Sequence, residues 1–244
     1  MSKRIKAFLI HLISSSLLAF LTLILVFYIW YPSPLHIATG VSHIFLIMLA
    51  ADVSIGPVLT LLVYKVGKKS LRFDLTVIII VQLCVFSYGL HTVAIARPAW
   101  IVFNVDRFDL VQANDIDLRK VSKAKKNYQQ VSWRGPAWAS AKFPTDKKER
   151  EQIFIESVKG GYDIPQRPDL YLPLSESLDI IRNKSNQLIK LNEFNNKEAV
   201  QQILLAWPKA NAWLPLKGNI QDMVVLINKK DGRVISIVNL KPWK

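Results

Sequence analysis

Histidine and cysteine, the side chains that most often carry chemistry, are confined to the first 91 residues of this 244-residue chain: His11, His36, His43, His91 and Cys84. A single cysteine excludes an intramolecular disulfide and a cysteine-based zinc site. The sequence contains no paired-histidine metal motif, phosphate-binding glycine loop or nucleophile-elbow motif. Residues 98–244 therefore lack the commonest general base and the commonest thiol nucleophile. We expect no catalytic residue, no metal or cofactor site and no enzymatic activity.

Carboxylates are the remaining candidates for chemistry. Asp106 and Asp109 are close together in the sequence. We interpret them as solvent-facing partners of Arg107 or as turn residues rather than as a catalytic pair. His11 and His91, which we expect near opposite membrane faces, are interpreted as interfacial polar anchors.

One carboxylate, Asp52, falls in the middle of a long apolar run. An ionised carboxylate at that depth in a bilayer is costly and needs either a partner or a proton. In the protein alone we expect a neutral Asp52, hydrogen-bonded to a polar residue at the same depth: Ser16, Gln82 or Ser87. Two roles stay open: a clamp between helices, or a functional group that meets a cationic group on an incoming helix.

Three apolar runs predict membrane-spanning helices at about 7–30, 42–63 and 75–95, because about 20 apolar residues cross a bilayer. The first run is longer than the apolar part of a signal peptide, so we expect an uncleaved span. Gly56 and Pro57 interrupt the second run and should kink it. The sequence thus predicts a membrane module over residues 1–97.

The distribution of basic residues predicts the orientation of these spans. Short loops rich in lysine and arginine stay in the cytoplasm, whereas long domains cross largely regardless of their charge. The loop 31–41 has no basic residue. The residues that determine the topology lie in the N-terminal tail and in the loop 64–74: Lys3, Arg4, Lys6, Lys65, Lys68, Lys69 and Arg72. We therefore expect a cytoplasmic N-terminus and an extracytoplasmic region 98–244.

The region 98–244 reads as one soluble α+β domain with a small antiparallel sheet. Its clearest element is a terminal β-hairpin of 223–228 and 233–240, joined through Asp231-Gly232, which accepts a positive φ. A single strand with an irregularity near Arg107 is predicted over 99–112. We expect helices on one face of the sheet.

Three amphipathic helices are predicted in this domain: 146–159 capped by Thr145, one within 175–190, and 197–207. In the first of them, Ile153, Phe154 and Val158 are the predicted apolar positions. The net charge of +14 is spread along the chain. It favours a lysine-rich surface beside membrane lipids over a nucleic-acid site, for which no motif is present.

The membrane module resembles a bacterial family, the type IV pilin accessory proteins of the TfpX/TfpZ kind. The resemblance is strongest over residues 1–110, and beyond them it is one of length and general character. The runs that carry it are Lys6-Ala7-Phe8, Phe27 to Leu35, Ala51 to Leu61, Lys68 to Leu75, Tyr88-Gly89 and Ala96 to Phe108.

The resemblance implies a non-enzymatic, chaperone-like protein of the inner membrane that assists a pilin's stability, assembly or pilus dynamics. Its expected partners are the cognate major type IV pilin and membrane lipids, with other inner-membrane pilus assembly proteins as further candidates. No catalytic residue is carried over.

A membrane sensor with an extracytoplasmic ligand-binding domain is the main alternative. A sensor needs a cytoplasmic output, and the expected cytoplasmic segments are too short for a kinase or cyclase module. A membrane-embedded enzyme that uses Asp52 is a third hypothesis.

Overall fold

The computed structural model describes residues 1–244. It begins with three helices that are long and apolar enough to cross a membrane. Helix α1 (Lys3–Ile24) continues as a π-helical segment, Leu25–Trp30, and is followed by the short α2 (Leu35–Ala38). The other long helices are α3 (Val41–Val63) and α4 (Leu71–Ile95). This arrangement, with the mixed sheet that follows it, confirms the predicted fold class.

Helix α3 packs along both α1 and α4. The best-packed part of this module is near the Trp30 end of α1, where Trp30, Tyr31 and Phe45 are fully buried. Nearer the Lys3 end, a groove lies between α1 and α4.

The C-terminal domain, residues 98–244, is built on one eight-stranded sheet in the order β4-β3-β1-β2-β6-β7-β8, with β5 paired to β6. The strands are β1 (Pro98–Asn104), β2 (Arg107–Gln112), β3 (Ala137–Ala141), β4 (Tyr171–Leu172), β5 (Asn186–Gln187), β6 (Ala212–Lys217), β7 (Met223–Asn228) and β8 (Arg233–Val238). The sheet is mixed rather than wholly antiparallel, because β1 pairs with β3 and β2 with β6 in parallel. Buried apolar clusters lie on both faces of the sheet, whereas the sequence predicted a sheet with helices on one face only.

The terminal hairpin β7–β8 forms as predicted, with Gly232 at a φ of 72°. The predicted strand 99–112 is instead a hairpin of two strands that turns at Val105-Asp106. Val105 adopts a φ of 60°, which a β-branched residue rarely does. The irregularity near Arg107 is therefore a tight turn and not a bulge.

The three helices of this domain are shorter than predicted. Helix α5 is Lys147–Val158, and its N-cap is Asp146 rather than Thr145. Helix α6 is Leu178–Lys184, followed by β5 and a 3-10 turn over Leu188–Glu193. Helix α7 is Lys197–Leu205. Of the apolar positions predicted for α5, Ile153 is buried, whereas Phe154 and Val158 are exposed.

The short connection between α1 and α3 contributes to the C-terminal domain. Leu35 and Ala38 are buried in the same core cluster as Ile101 and Phe108 of the sheet. The Ala38 carbonyl accepts hydrogen bonds from the backbone N–H groups of Ile220 (2.9 Å) and Gln221 (3.2 Å). The chain therefore enters the core of this domain before it forms the second membrane helix.

A second contact fixes the domain to the Trp30 end of α1. Trp133 packs edge-to-face on Trp30, with ring centroids 5.2 Å apart. The Arg97 guanidinium lies 5.7 Å from the Trp133 ring and donates a hydrogen bond to the Ser132 carbonyl. With the α2 connection, this contact ties the domain to the membrane module at two places.

Candidate functional site in the membrane helices

Asp52 lies near the midpoint of α3, eleven residues from each end of the helix. Its side chain is half-buried and faces the groove between α1 and α4. The carboxyl group makes no hydrogen bond or ion pair within the chain; only the backbone carbonyl of Asp52 accepts a hydrogen bond, from Gln82 Nε2 at 3.1 Å. A carboxyl at this depth thus has no partner in the protein.

A polar cluster connects the three long helices beside Asp52. His11 of α1 contacts Thr60 Oγ1 of α3 through Nδ1 (2.7 Å) and Gln82 Oε1 of α4 through Nε2 (2.9 Å). The Gln82 amide nitrogen donates to the Ser15 hydroxyl (3.2 Å) and to the Asp52 carbonyl. These bonds, at about 0.6 kcal/mol each between membrane helices, hold α1, α3 and α4 together.

The hydrogen-bonding capacity of this cluster is used internally. Gln82 Oε1 can only accept, so His11 Nε2 carries the proton and donates. The other ring nitrogen of His11, Nδ1, is hydrogen-bonded to the Thr60 hydroxyl, and both N–H groups of Gln82 have acceptors. This cluster, rather than the Asp52 carboxyl, provides the side-chain hydrogen bonds that link the three long helices. The Asp52 carboxyl remains outside it.

The structure corrects the expected partners of Asp52. Ser16 and Ser87 are exposed and make no side-chain hydrogen bond, whereas Ser15 is buried and bonds to Gln82. One residue along a helix rotates the side chain by about 100°, so depth alone did not select the correct serine. Of the three predicted partners, Gln82 alone meets Asp52, and it does so at the backbone.

His11 is the residue that sequence reasoning assigned wrongly. It is part of the interhelical cluster and not an interfacial anchor. The sequence did contain a pattern that could have indicated this, because His11 and Ser15 are four residues apart and therefore lie on the same face of α1. His91 makes no side-chain hydrogen bond and is exposed.

Gly56 and Pro57 are both buried in α3, which continues as a helix to Val63. A Cβ atom at position 56 would overlap the side-chain amide of Gln82. Gly56 therefore lets α4 approach closely enough for Gln82 to reach Asp52 and His11, in keeping with the use of small residues between membrane helices.

The groove beside Asp52 has a volume of about 410 Å³. Its walls are one face of α1 and one face of α4: Ala7, Ile10, His11, Ser14, Ser15 and Leu18, then Leu75, Ile79, Gln82, Leu83 and Phe86. Asp52 and Thr60 of α3 form its floor. A second cleft, about 460 Å³ and almost wholly apolar, lies between α3 and α4 on the other side of Asp52. Asp52 thus borders two cavities, one on each side of α3.

The basic residues predicted to set the topology gather at one end of the helices. Lys3, Arg4 and Lys6 open α1, and the remaining ones lie in the connection between α3 and α4 or at the start of α4. Arg4 Nε donates to the Leu61 carbonyl at 2.5 Å. Lys68 pairs with Asp74 at 2.7 Å.

The C-terminal domain holds no group of His, Cys, Asp and Glu side chains arranged to bind a metal. Asp109 pairs with Arg107 at 3.2 Å as predicted, but it is buried rather than solvent-facing. Burial raises the pKa of the Asp109 carboxyl, an effect that Arg107 partly offsets. Asp106 lies in the β1–β2 turn. Asp106 is thus a turn residue, and Asp109 belongs to a structural ion pair with Arg107.

Comparison with known proteins finds relatives along nearly the whole chain. Two proteins of Dichelobacter nodosus, described as fimbrial assembly proteins of serogroup I and of serogroup E1, are each 30% identical over 243 residues. Each alignment covers 96% of this chain and 94% of the relative. The fimbrial assembly protein of serogroups C1 and C2 is 33% identical over 117 residues, which are 47% of this chain and 89% of that protein.

Residues 1–40 also match a family described as "Fimbrial assembly protein FimB". No solved structure matches the chain. The matched family segment contains His11, Ser14 and Ser15 of the groove.

Proposed function

The chain belongs to the family of fimbrial assembly proteins, and from this premise we propose that it is a non-enzymatic accessory factor of type IV pili in the bacterial inner membrane. It contacts its cognate major pilin through the membrane helices and the C-terminal domain, and it assists the pilin before polymerisation in a chaperone-like way. The resemblance of residues 1–110 to TfpX/TfpZ-type accessory proteins is in keeping with this assignment. The absence of histidine and cysteine from residues 98–244 supports a non-enzymatic role.

One observation carries this proposal. The cluster of His11, Ser15, Thr60 and Gln82 is hydrogen-bonded internally, whereas the Asp52 carboxyl beside it makes no hydrogen bond and faces an open groove. An intramembrane carboxyl without a partner is unfavourable in the isolated protein. A protein partner in the membrane removes that cost, so the chain is suited to bind another membrane segment.

The orientation is part of the proposal: the N-terminus is cytoplasmic and the C-terminal domain is periplasmic. A reporter active only in the periplasm, fused after Lys244, is expected to be active. The same reporter inserted in the loop 65–69 is expected to be inactive, because that loop carries three lysines. An active loop fusion or an inactive C-terminal fusion would reverse the assigned topology.

The function is tested by removing the gene and by purifying its product. Deletion is expected to lower the number of surface pili, or to change their dynamics, while pilin transcription is unchanged. The full chain, solubilised in mild detergent, is expected to retain the cognate pilin and to retain a non-cognate pilin less well. Normal pili in the deletion strain, with no pilin in the purified sample, would refute the assembly role.

A further inference from the structure

The groove between α1 and α4 has the shape of a site for one helix. The lining residues of α1 recur every three or four positions from Ala7 to Leu18, and those of α4 do so from Leu75 to Phe86. Each wall is therefore a single helical face about 16 Å long, or three turns. Two such walls, with α3 between them as the floor, form a groove into which the side chains of another helix can interdigitate.

The floor of this groove indicates the charge that an occupying helix should carry. Asp52 contributes a carboxyl group that no atom of the chain contacts with a hydrogen bond, whereas the neighbouring His11 and Gln82 have their nitrogens engaged. No lysine or arginine occurs in residues 7–64 or 75–95. The one side chain at this depth that can take a positive charge is His11, and both of its ring nitrogens are already bonded, to Thr60 and to Gln82.

A lipid chain would fill the volume of the groove but would leave the carboxyl without a partner. A second copy of this chain brings serine hydroxyls to this depth but no lysine or arginine, and its His11 is engaged within its own helices. A helix with a positively charged group at mid-membrane depth satisfies both the shape and the charge. Such a group would lie about 16 Å from the Val63 end of α3, eleven residues along the helix.

We propose that this groove is the docking site for one transmembrane helix of the pilin, which brings a basic group to Asp52. The inference rests on the proposed function and assigns a surface and a chemistry to it. Ser14, Ile79 and Leu83 contact the docked helix, and its basic group forms an ion pair with the Asp52 carboxylate. The second cleft, between α3 and α4, stays in contact with lipid.

Site-specific photocrosslinking of the full chain, in cells that make the pilin, tests the placement. A photoreactive residue at Ser14 or Ile79 lies in the groove. The matched positions are Ile13 and Ile80, which are adjacent in sequence, exposed and outside both cavities. We expect crosslinks to the pilin from Ser14 and Ile79. The crosslink yield from Ile13 and Ile80 is expected to be at least about tenfold lower. Equal crosslinking at all four positions overturns the docking site.

The charge is tested in the same experiment with Asp52→Asn and Asp52→Glu. Loss of the ion pair in Asp52→Asn is expected to lower the crosslink yield about tenfold, which corresponds to about 1.4 kcal/mol of binding free energy. Asp52→Glu keeps the charge and is expected to keep most of the yield. An Asp52→Asn protein that crosslinks as well as the wild type overturns the ion pair.

The outcomes separate this inference from the proposed function. A pilin that co-purifies with the chain but crosslinks only from the C-terminal domain leaves the assembly role intact and refutes the groove. Crosslinks from Ser14 and Ile79 to a second copy of this chain alone assign the groove to self-association and refute the inference. A chain that neither retains nor crosslinks the pilin refutes both.

Discussion

Replacing Arg167 with methionine is expected to destabilise the C-terminal domain by about 3 kcal/mol, at the lower end of the usual cost of breaking a buried ion pair. The Arg167 side chain is only 4% exposed. Its Nη2 atom lies 2.7 Å from Glu156 Oε2, and its Nη1 atom lies 3.6 Å from Asp117 Oδ2. Arg119 pairs with the same two carboxylates and lessens the loss. Chemical denaturation of the purified full chain, monitored by proteolysis of this domain, measures the change.

The pH dependence of this loss is also predicted. The hydrogen bond from Arg167 is the main reason why the pKa of the Glu156 carboxyl lies below its usual range, and that from Arg119 lowers the pKa of Asp117. A carboxyl whose pKa is lowered by folding stabilises the fold above its unfolded pKa of about 4, and this contribution is lost as the pH falls through the folded pKa. The difference between Arg167→Met and the wild type should therefore shrink below about pH 4.

Arg182→Met is the matched control, because Arg182 pairs at 3.1 Å with Asp179 on the surface, where both side chains are exposed. Exposed pairs contribute about 0–1 kcal/mol. A loss for Arg167→Met no larger than that for Arg182→Met would show that the Arg167 cluster does not stabilise the domain.

Truncating Leu35, which lies between the first two membrane helices, is expected to destabilise the C-terminal domain, which begins more than 60 residues later. Leu35 is 2% exposed and lies in the core cluster with Ile101, Leu214 and Met223. Leu35→Ala removes buried methyl groups and leaves a cavity, at a cost of about 2–5 kcal/mol. The same denaturation measurement on the full chain reports it.

Leu205→Ala is the matched control, since Leu205 is 80% exposed at the end of α7. A surface change of this kind is expected to alter the unfolding free energy by no more than about 0.5 kcal/mol. If Leu35→Ala and Leu205→Ala unfold at the same denaturant concentration, the connection between α1 and α3 is not part of the core.

The membrane helices and the last hairpin were predictable because each depends on a local signal. Apolar runs of sufficient length mark the spans, and Asp231-Gly232 marks a turn that needs a positive φ. The β1–β2 hairpin was missed because its positive-φ position holds Val105, a residue that gives no turn signal. The parallel pairings were missed because each depends on long crossovers that leave no local pattern.

The candidate site was predicted in part for the same reason. A carboxylate in an apolar run identifies Asp52 without any knowledge of packing. Which polar groups surround it depends on the rotation of each helix, and this decides between Ser15 and Ser16. The place of His11 in the cluster depends on the close approach of α4 at Gly56, which the sequence does not specify.

The burial of Leu35 and Ala38 in the C-terminal domain determines how parts of related proteins can be exchanged. A chimera joined once, near residue 97, would place the α2 segment of one parent against the sheet of the other. Leu35 and Ala38 would then pack against a core, and against a 220–221 segment, that come from a different protein. A functional exchange needs three junctions, so that residues 31–40 travel with 98–244. Among related proteins, substitutions in the sheet and in residues 31–40 should therefore occur together, although the codons for α3 and α4 lie between the two regions in the gene.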